Sequence, residues 1–197
     1  MAGGLKEVRE RIVSVQNTKQ ITSAMKMVAA AKLRRAQAAI TRMRPYAEKL
    51  QAVLSNVSDS LDAGEGVFSE KREVKHVLYV AITSNRGLCG GFNNNIIKAV
   101  RKGMQQTDAT CHVLPLGKKA NDAFEKNPNL APVGFEEDAW QIFDELNFDR
   151  AQTIAEDIMA QFEGGQYDEV KIVYNRFVNA AVQDATVENY LPLEPSE

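Results

Sequence analysis

The stretch "EVKHVLYVAITSNRGLCGGFNNNIIKAVRKGMQQ" (residues 73–106) decides how this chain folds. Its first part holds an uninterrupted apolar run, Val77 to Ile82, of the kind a strand buried on both faces needs. Its last part carries Ile96, Ile97, Val100 and Met104 at helical spacing, with Asn93 or Asn94 placed to cap the first turn. Between them lies a glycine-rich turn, "SNRGLCGGFN" (84–93). Strand, turn and helix in that order open an α/β unit.

Toward the C-terminus the alternation continues. "ATCHVLPL" (109–116) reads as a second strand and "GKKANDAFEK" (117–126) as a short helix; "APVGF" (131–135) reads as a third, short strand. "DRAQTIAEDIMAQF" (149–162) is an amphipathic helix through Ile154, Ile158, Met159 and Phe162. "DEVKIVYNRF" (168–177) and "AAVQDATVENYLPL" (180–193) read as two strands joined by a tight turn at Val178–Ala180. Residues 73–197 are thus expected to form a mostly parallel sheet covered by helices and ending in a hairpin.

Toward the N-terminus the pattern changes to a period of seven. One column reads Leu5, Ile12, Lys19, Lys26, Leu33, Ile40, Ala47, Leu54, Leu61; the other reads Val8, Val15, Thr22, Ala29, Ala36, Met43, Leu50, Val57. This is half of a coiled coil, with a polar interruption where the apolar residues shift to Ile21, Met25 and Val28. The register runs through Pro45 unchanged, so a continuous or gently kinked helix is expected. "DAGEG" (62–66) supplies its stop. The expected organisation is a shaft helix over 1–62, a linker over 63–72 and the α/β body over 73–197. At 1.5 Å per residue the shaft would be about 85 Å long, so its seam needs a partner helix, from another chain or from a C-terminal part of its own.

Charge follows the same division. The net charge is −2. Residues 1–57 hold 11 basic against 3 acidic side chains, a net +8, which leaves −10 on the rest. A basic arm on an acidic body points to an acidic partner for the arm. "KLRRAQAAITRMR" (32–44) has no aromatic residue to stack on bases, and the acidic body repels a polyanion, so an acidic protein surface is favoured over nucleic acid or a merely solvated flank.

The tests for chemistry come out negative. Gly87, Gly90 and Gly91 do not have the spacing of a dinucleotide fingerprint, and Phe92 and Asn93 stand where a phosphate loop needs lysine and a hydroxyl residue. The loop reads either as a tight turn that uses positive φ and close backbone approach, or as a partner-facing segment carrying Arg86 and Cys89. Cys111 and His112 are sequential on a strand and point to opposite faces, so they form no dyad. Neither they nor His76 and Cys89 show metal-ligand spacing, and a disulfide framework is not expected. The opening residues have no apolar core of an export signal, and no apolar run approaches the roughly 20 residues of a membrane span.

Two segments bring the residues together. "VQNTKQITSAMKMVAAAKLRRAQ" (15–37), after "MAGGLKEVRERI", resembles the N-terminal helix of the gamma-subunit family of F-type rotary ATP synthases. "ITSNRGLCGGFNNNI" (82–96) is similar to that family's loop after the first strand of its Rossmann-like domain. The resemblance covers essentially the whole chain. It implies an α/β fold with a long N-terminal coiled-coil helix and a Rossmann-like, mostly parallel sheet domain with flanking helices.

The resemblance further implies a non-catalytic central shaft without a cofactor or metal of its own. It would turn inside the ring of alpha and beta subunits and rest with the epsilon subunit on the membrane rotor c-ring. That places it peripherally on the cytoplasmic side of the cell membrane. Carried over residue by residue, Met25, Lys26, Lys32, Arg34 and Arg35 fall on the shaft near the catalytic ring. Arg86, Gly87, Leu88, Cys89, Gly90, Gly91 and Phe92 fall on a loop facing the ring's lower part. Family members continue into a long C-terminal helix that pairs with the first; that partner is missing from this sequence. The alternative reading is a nucleotide-binding α/β enzyme with a helical dimerisation arm.

Overall fold

A single helix, α1, runs from Ala2 to Ser60 and passes through Pro45 without a break. Proline inside a helix removes one N–H and costs about 3 kcal/mol, but the alanine and straight-chain residues on either side favour the helix. The computed structural model describes residues 2–60, 66–179 and 181–193. Most of the expected "DAGEG" stop, the start of the expected linker and Ala180 of the hairpin turn lie outside the described residues. The chain divides into two compact units, Met1–Leu54 and Ser55–Glu197.

The heptad columns of α1 are open. Leu5, Val8, Ile12, Val15, Leu33, Ile40, Met43, Leu50 and Leu54 are all 39–69% exposed. In the polar interruption the hydroxyls turn back on their own helix: Thr18 Oγ1 donates to the Ser14 carbonyl and Thr22 Oγ1 to that of Thr18, both at 2.9 Å. Those side chains satisfy themselves locally and ask nothing of a partner.

The second unit is built on a four-stranded sheet. Its strands are β1 (His76–Ile82), β2 (Thr110–Leu116), β3 (Glu169–Phe177) and β4 (Gln183–Leu191), in the order β2-β1-β3-β4. β1 pairs parallel with β2, from His76↔Thr110 to Ile82↔Leu116, and parallel with β3, from Val77↔Glu169 to Ala81↔Val173. β4 closes the sheet antiparallel to β3. The helices are α2 (Phe92–Gln105), α3 (Lys118–Phe124) and α4 (Phe148–Glu163).

β1 sits in the middle, and this accounts for its unbroken apolar run. Val77, Tyr79 and Ala81 pack with Ile96 and Val100 of α2 and with Ala120 and Phe124 of α3. Leu78 and Val80 pack on the other face with Ile158 and Phe162 of α4, and with Ile142. Side chains alternate across a strand, so a strand covered by helices on both faces must be apolar at every position. Burying one such residue contributes about 1.5–3 kcal/mol.

Two expectations are corrected. "APVGF" forms no strand. Pro132 has no N–H to give a ladder, Gly134 turns the chain at φ +85, and the Val133 N–H goes to Tyr167 Oη at 2.9 Å. A 3₁₀ turn, Pro128–Leu130, precedes it. A second, Ala139–Phe143, buries Ala139 and Ile142; it was not apparent in the sequence because five residues are too few to show a period. The other correction concerns α2. It starts at Phe92 with Gly91 as its cap residue and no side-chain capping bond, because Asn93 is used elsewhere.

Candidate functional site

The loop after β1 is organised by one buried side chain. Asn93 Oδ1 accepts from the Ser84 N–H at 2.9 Å. Its Nδ2 reaches the Arg86 carbonyl at 3.1 Å and Cys89 Sγ at 3.1 Å. Asn93 is 8% exposed, and it staples the two ends of the turn to each other across nine positions. Ser84 Oγ adds a 2.7 Å bond to the Arg86 carbonyl. A short amide is suited to this because one group both accepts from and donates to backbone.

Of the three glycines in this loop, only Gly90 takes a positive φ, +60°. Leu88 takes φ +60° as well, an unusual conformation for a branched side chain, and it is fully exposed. Gly87 has nothing nearer to a built Cβ than Lys119 Cε at 4.0 Å. Close backbone approach, expected at this loop, is found instead at Gly117. There φ is +108°, and a Cβ would collide with the Thr83 carbonyl oxygen. Thr83 Oγ1 in turn accepts from the Ala120 N–H at 2.8 Å, which holds α3 against the end of β1.

Arg86, Gly87, Leu88, Cys89, Gly90 and Gly91 are exposed and Phe92 is half-buried. The Arg86 guanidinium has no hydrogen-bond or ion-pair partner among the described residues. Met25, Lys26, Lys32, Arg34 and Arg35 are exposed along α1, and none of the four cations there has a carboxylate within reach among the described residues. Spacing by seven sets Met25 and Lys32 on one face, whereas spacing by eight turns Arg34 about 80° round the helix from Lys26.

Beside the loop, the carboxyl ends of β1 and β3 form a cleft of about 660 Å³ lined by Ile82, Arg86, Phe92, Phe143, Asp144 and Tyr174, among others. Asn85 Nδ2 donates to Asp144 Oδ1 at 2.9 Å, and Asn85 Oδ1 accepts from the Lys118 N–H at 3.0 Å. Tyr174 Oη donates to Glu188 at 2.7 Å, and burial together with that carboxylate raises its pKa above the usual phenol value. Asn175 Nδ2 donates to the Phe92 carbonyl at 2.9 Å. Reasoning from sequence did not find this cleft. The residues it joins lie up to about ninety positions apart; those from Ile82 to Phe92 belong to the glycine-rich segment, but Phe143, Asp144, Tyr174 and Asn175 belong to no motif.

No group of three or more metal-ligating side chains occurs among the described residues, and no described helix is long and apolar enough to cross a membrane. Cys89 and Cys111 are both free thiols. Cys111 is buried on the α2 face of the sheet, and burial pushes its pKa up, away from the reactive thiolate. His112 points to the opposite face and meets the Tyr167 ring edge-on at 5.6 Å.

A family model described as ATP synthase matches residues 4–197. The ATP synthase gamma chain of Flavobacterium psychrophilum is 49% identical over 193 residues, which are 97% of this chain and 66% of that relative. The chain belongs to the ATP synthase gamma-chain family. The gamma chain of Flavobacterium johnsoniae is 50% identical over 197 residues, again covering 66% of the relative. The chain thus spans about two thirds of the length of these gamma-chain relatives. Among solved structures, the central stalk and c-ring of the Tetrahymena thermophila mitochondrial ATP synthase aligns with a TM-score of 0.65 and 30% identity. That alignment covers 87% of this chain and 72% of that one. The rotor of the Euglena gracilis mitochondrial ATP synthase aligns with a TM-score of 0.61 and 25% identity. The gamma-family fold is the one described above: a long N-terminal helix and a mostly parallel four-stranded sheet with flanking helices.

Proposed function

We propose that the chain serves as the central-stalk rotor element of an F-type ATP synthase. It couples ion flow through the membrane rotor ring to ATP synthesis or hydrolysis in the alpha–beta ring by rotation, and performs no chemistry itself. The observation that carries this reading is α1, 59 residues of unbroken helix with exposed apolar columns and unpaired cations, in a member of the gamma-chain family. A torque-bearing rod must be stiff. A second helix laid along the open columns would provide that stiffness, since paired helices bend less than one.

On this reading Lys26, Lys32, Arg34 and Arg35, with Met25, meet acidic surfaces of the beta subunits. The 86–92 loop faces the lower part of the catalytic ring, the epsilon subunit and c-ring engage the α/β body, and the whole lies peripherally on the cytoplasmic side of the cell membrane through the complex. Exposed unpaired cations fit a sliding contact. Each surface pair is worth only about 0.2–1 kcal/mol, enough to guide a partner and too little to arrest it.

The test is Arg34→Glu with Arg35→Glu, carried into the assembled complex. Two charge reversals are expected to weaken association with the alpha–beta ring roughly tenfold, in a salt-sensitive way, while the α/β body keeps its fold. Unchanged assembly and coupling would refute the assignment of the shaft. Titration of the chain with ATP and with NAD checks the enzyme alternative. Micromolar binding at residues 84–93 would replace the rotor reading with that one.

A further inference from the structure

We propose that the cleft between the carboxyl ends of β1 and β3 binds a small amphipathic monoanion, an aromatic ring system carrying one carboxylate or sulfonate. This goes beyond the rotor reading and does not depend on it. The cleft lies where the sheet changes direction. The chain leaves β1 toward β2 and leaves β3 toward β4, in opposite directions, so the sheet order reverses between these two strands. In open α/β sheets the crevice outside the strand ends at such a reversal is where ligands sit. The volume, about 660 Å³, is that of a site for a molecule of one or two rings.

The lining of the cleft is chemically selective. Ile82, Phe92, Phe143 and Tyr174 supply apolar and aromatic wall. Phe143 is left 38% exposed beside it. Most polar groups lining the cleft are already engaged: Ser84 with Asn93, Asn85 with Lys118 and Asp144, the Asn175 amide nitrogen with Phe92, and Tyr174 with Glu188. The Arg86 guanidinium is the exception, a planar donor with no partner among the described residues. A planar fork of this kind pairs best with a carboxylate or sulfonate. Asp144 lines the same cleft and repels a second negative charge, so a monoanion is selected over a nucleotide polyphosphate.

The experiment is a ¹H–¹⁵N spectral titration of the 197-residue chain with 2-naphthoate, with the uncharged 2-naphthamide as the comparison. Residue-resolved shifts separate the cleft from the exposed columns of α1, which would also attract an aromatic ring. Saturable shifts at the amides of Ser84, Asn85, Arg86 and Asn175 are expected. Arg86→Gln should weaken naphthoate about tenfold and leave naphthamide unchanged, because only the anion uses the guanidinium. Phe143→Ala should weaken both. Shifts confined to α1, shifts that do not saturate, or equal weakening of both probes by Arg86→Gln would overturn the proposal. Both side chains are substantially exposed, and the same spectra report whether the variants remain folded.

Discussion

At Gly117 the backbone excludes every other residue for two reasons at once. Its φ of +108° is disfavoured for any side chain, and a Cβ would collide with the Thr83 carbonyl, which is backbone and cannot swing aside. Gly117→Ala should therefore destabilise the α/β body by about 2–4 kcal/mol. Trp140, the only tryptophan, provides a fluorescence signal for urea unfolding, and its carbonyl accepts from the Gly117 N–H at 3.0 Å. Asn93 acts through bonds rather than space. Asn93→Ala leaves the Ser84 N–H without its partner, removes one donor from the Arg86 carbonyl and should cost about 1–3 kcal/mol, whereas Asn94→Ala, at an exposed position, should fall within about 0.5 kcal/mol of the parent. Faster hydrogen exchange at Ser84 in the Asn93 variant, with the interior of α2 still protected, would separate loss of the staple from loss of the helix.

Among the elements, α4 shows how a boundary is set locally. Asn147 has extended backbone, and its side chain accepts from the Arg150 N–H at 2.9 Å, an N-cap of the ordinary kind, with Asp149 favourably placed in the first turn. Asn147→Ala should lower the stability of the body by about 1 kcal/mol, read from the same urea transition. α2 differs, since its first turn has no side-chain cap and depends on the packing of Ile96 and Val100. The sequence offered two asparagines in a row at that boundary, Asn93 and Asn94, and either reads as a cap. Only the approach of Ser84 decides that Asn93 turns back to the strand. α1 stands at the other extreme, because its length and register are written in its heptads.

At the scale of the whole molecule, acid sensitivity of the body follows from β1 and β2 lying side by side. His112 Nδ1 is buried with no hydrogen-bond partner, the Tyr167 ring covers it, and His76 lies near on the adjacent strand. Burial first, and then the His76 charge, hold its pKa below the ordinary 6.5. The unfolded chain therefore binds the proton more readily than the folded one. Stability is full above about pH 6.5 and falls as the pH drops below that value toward the lower folded-state pKa. Urea midpoints between pH 7 and pH 5 should show this decline, and His112→Gln should flatten it. A decline that is the same in the variant would mean that other groups carry the acid sensitivity.

The chain's residue pattern alone carries the features whose signal is periodic and local. These are the heptads of α1, the unbroken apolar run of β1 that marks a strand covered on both faces, and the helical spacing of Ile154, Ile158 and Phe162. It misread "APVGF" because five apolar-rich residues look alike whether they extend a sheet or turn beneath it. The folded chain, not its residue pattern, makes Gly117 rather than Gly87 the point of close backbone contact. It alone brought Asn85 to Asp144 across 59 positions and opened the cleft beside Arg86. The physical reason is range: periodicity records which face of an element is buried, while contacts between loops at the strand ends depend on how distant elements pack and leave no repeat in the chain.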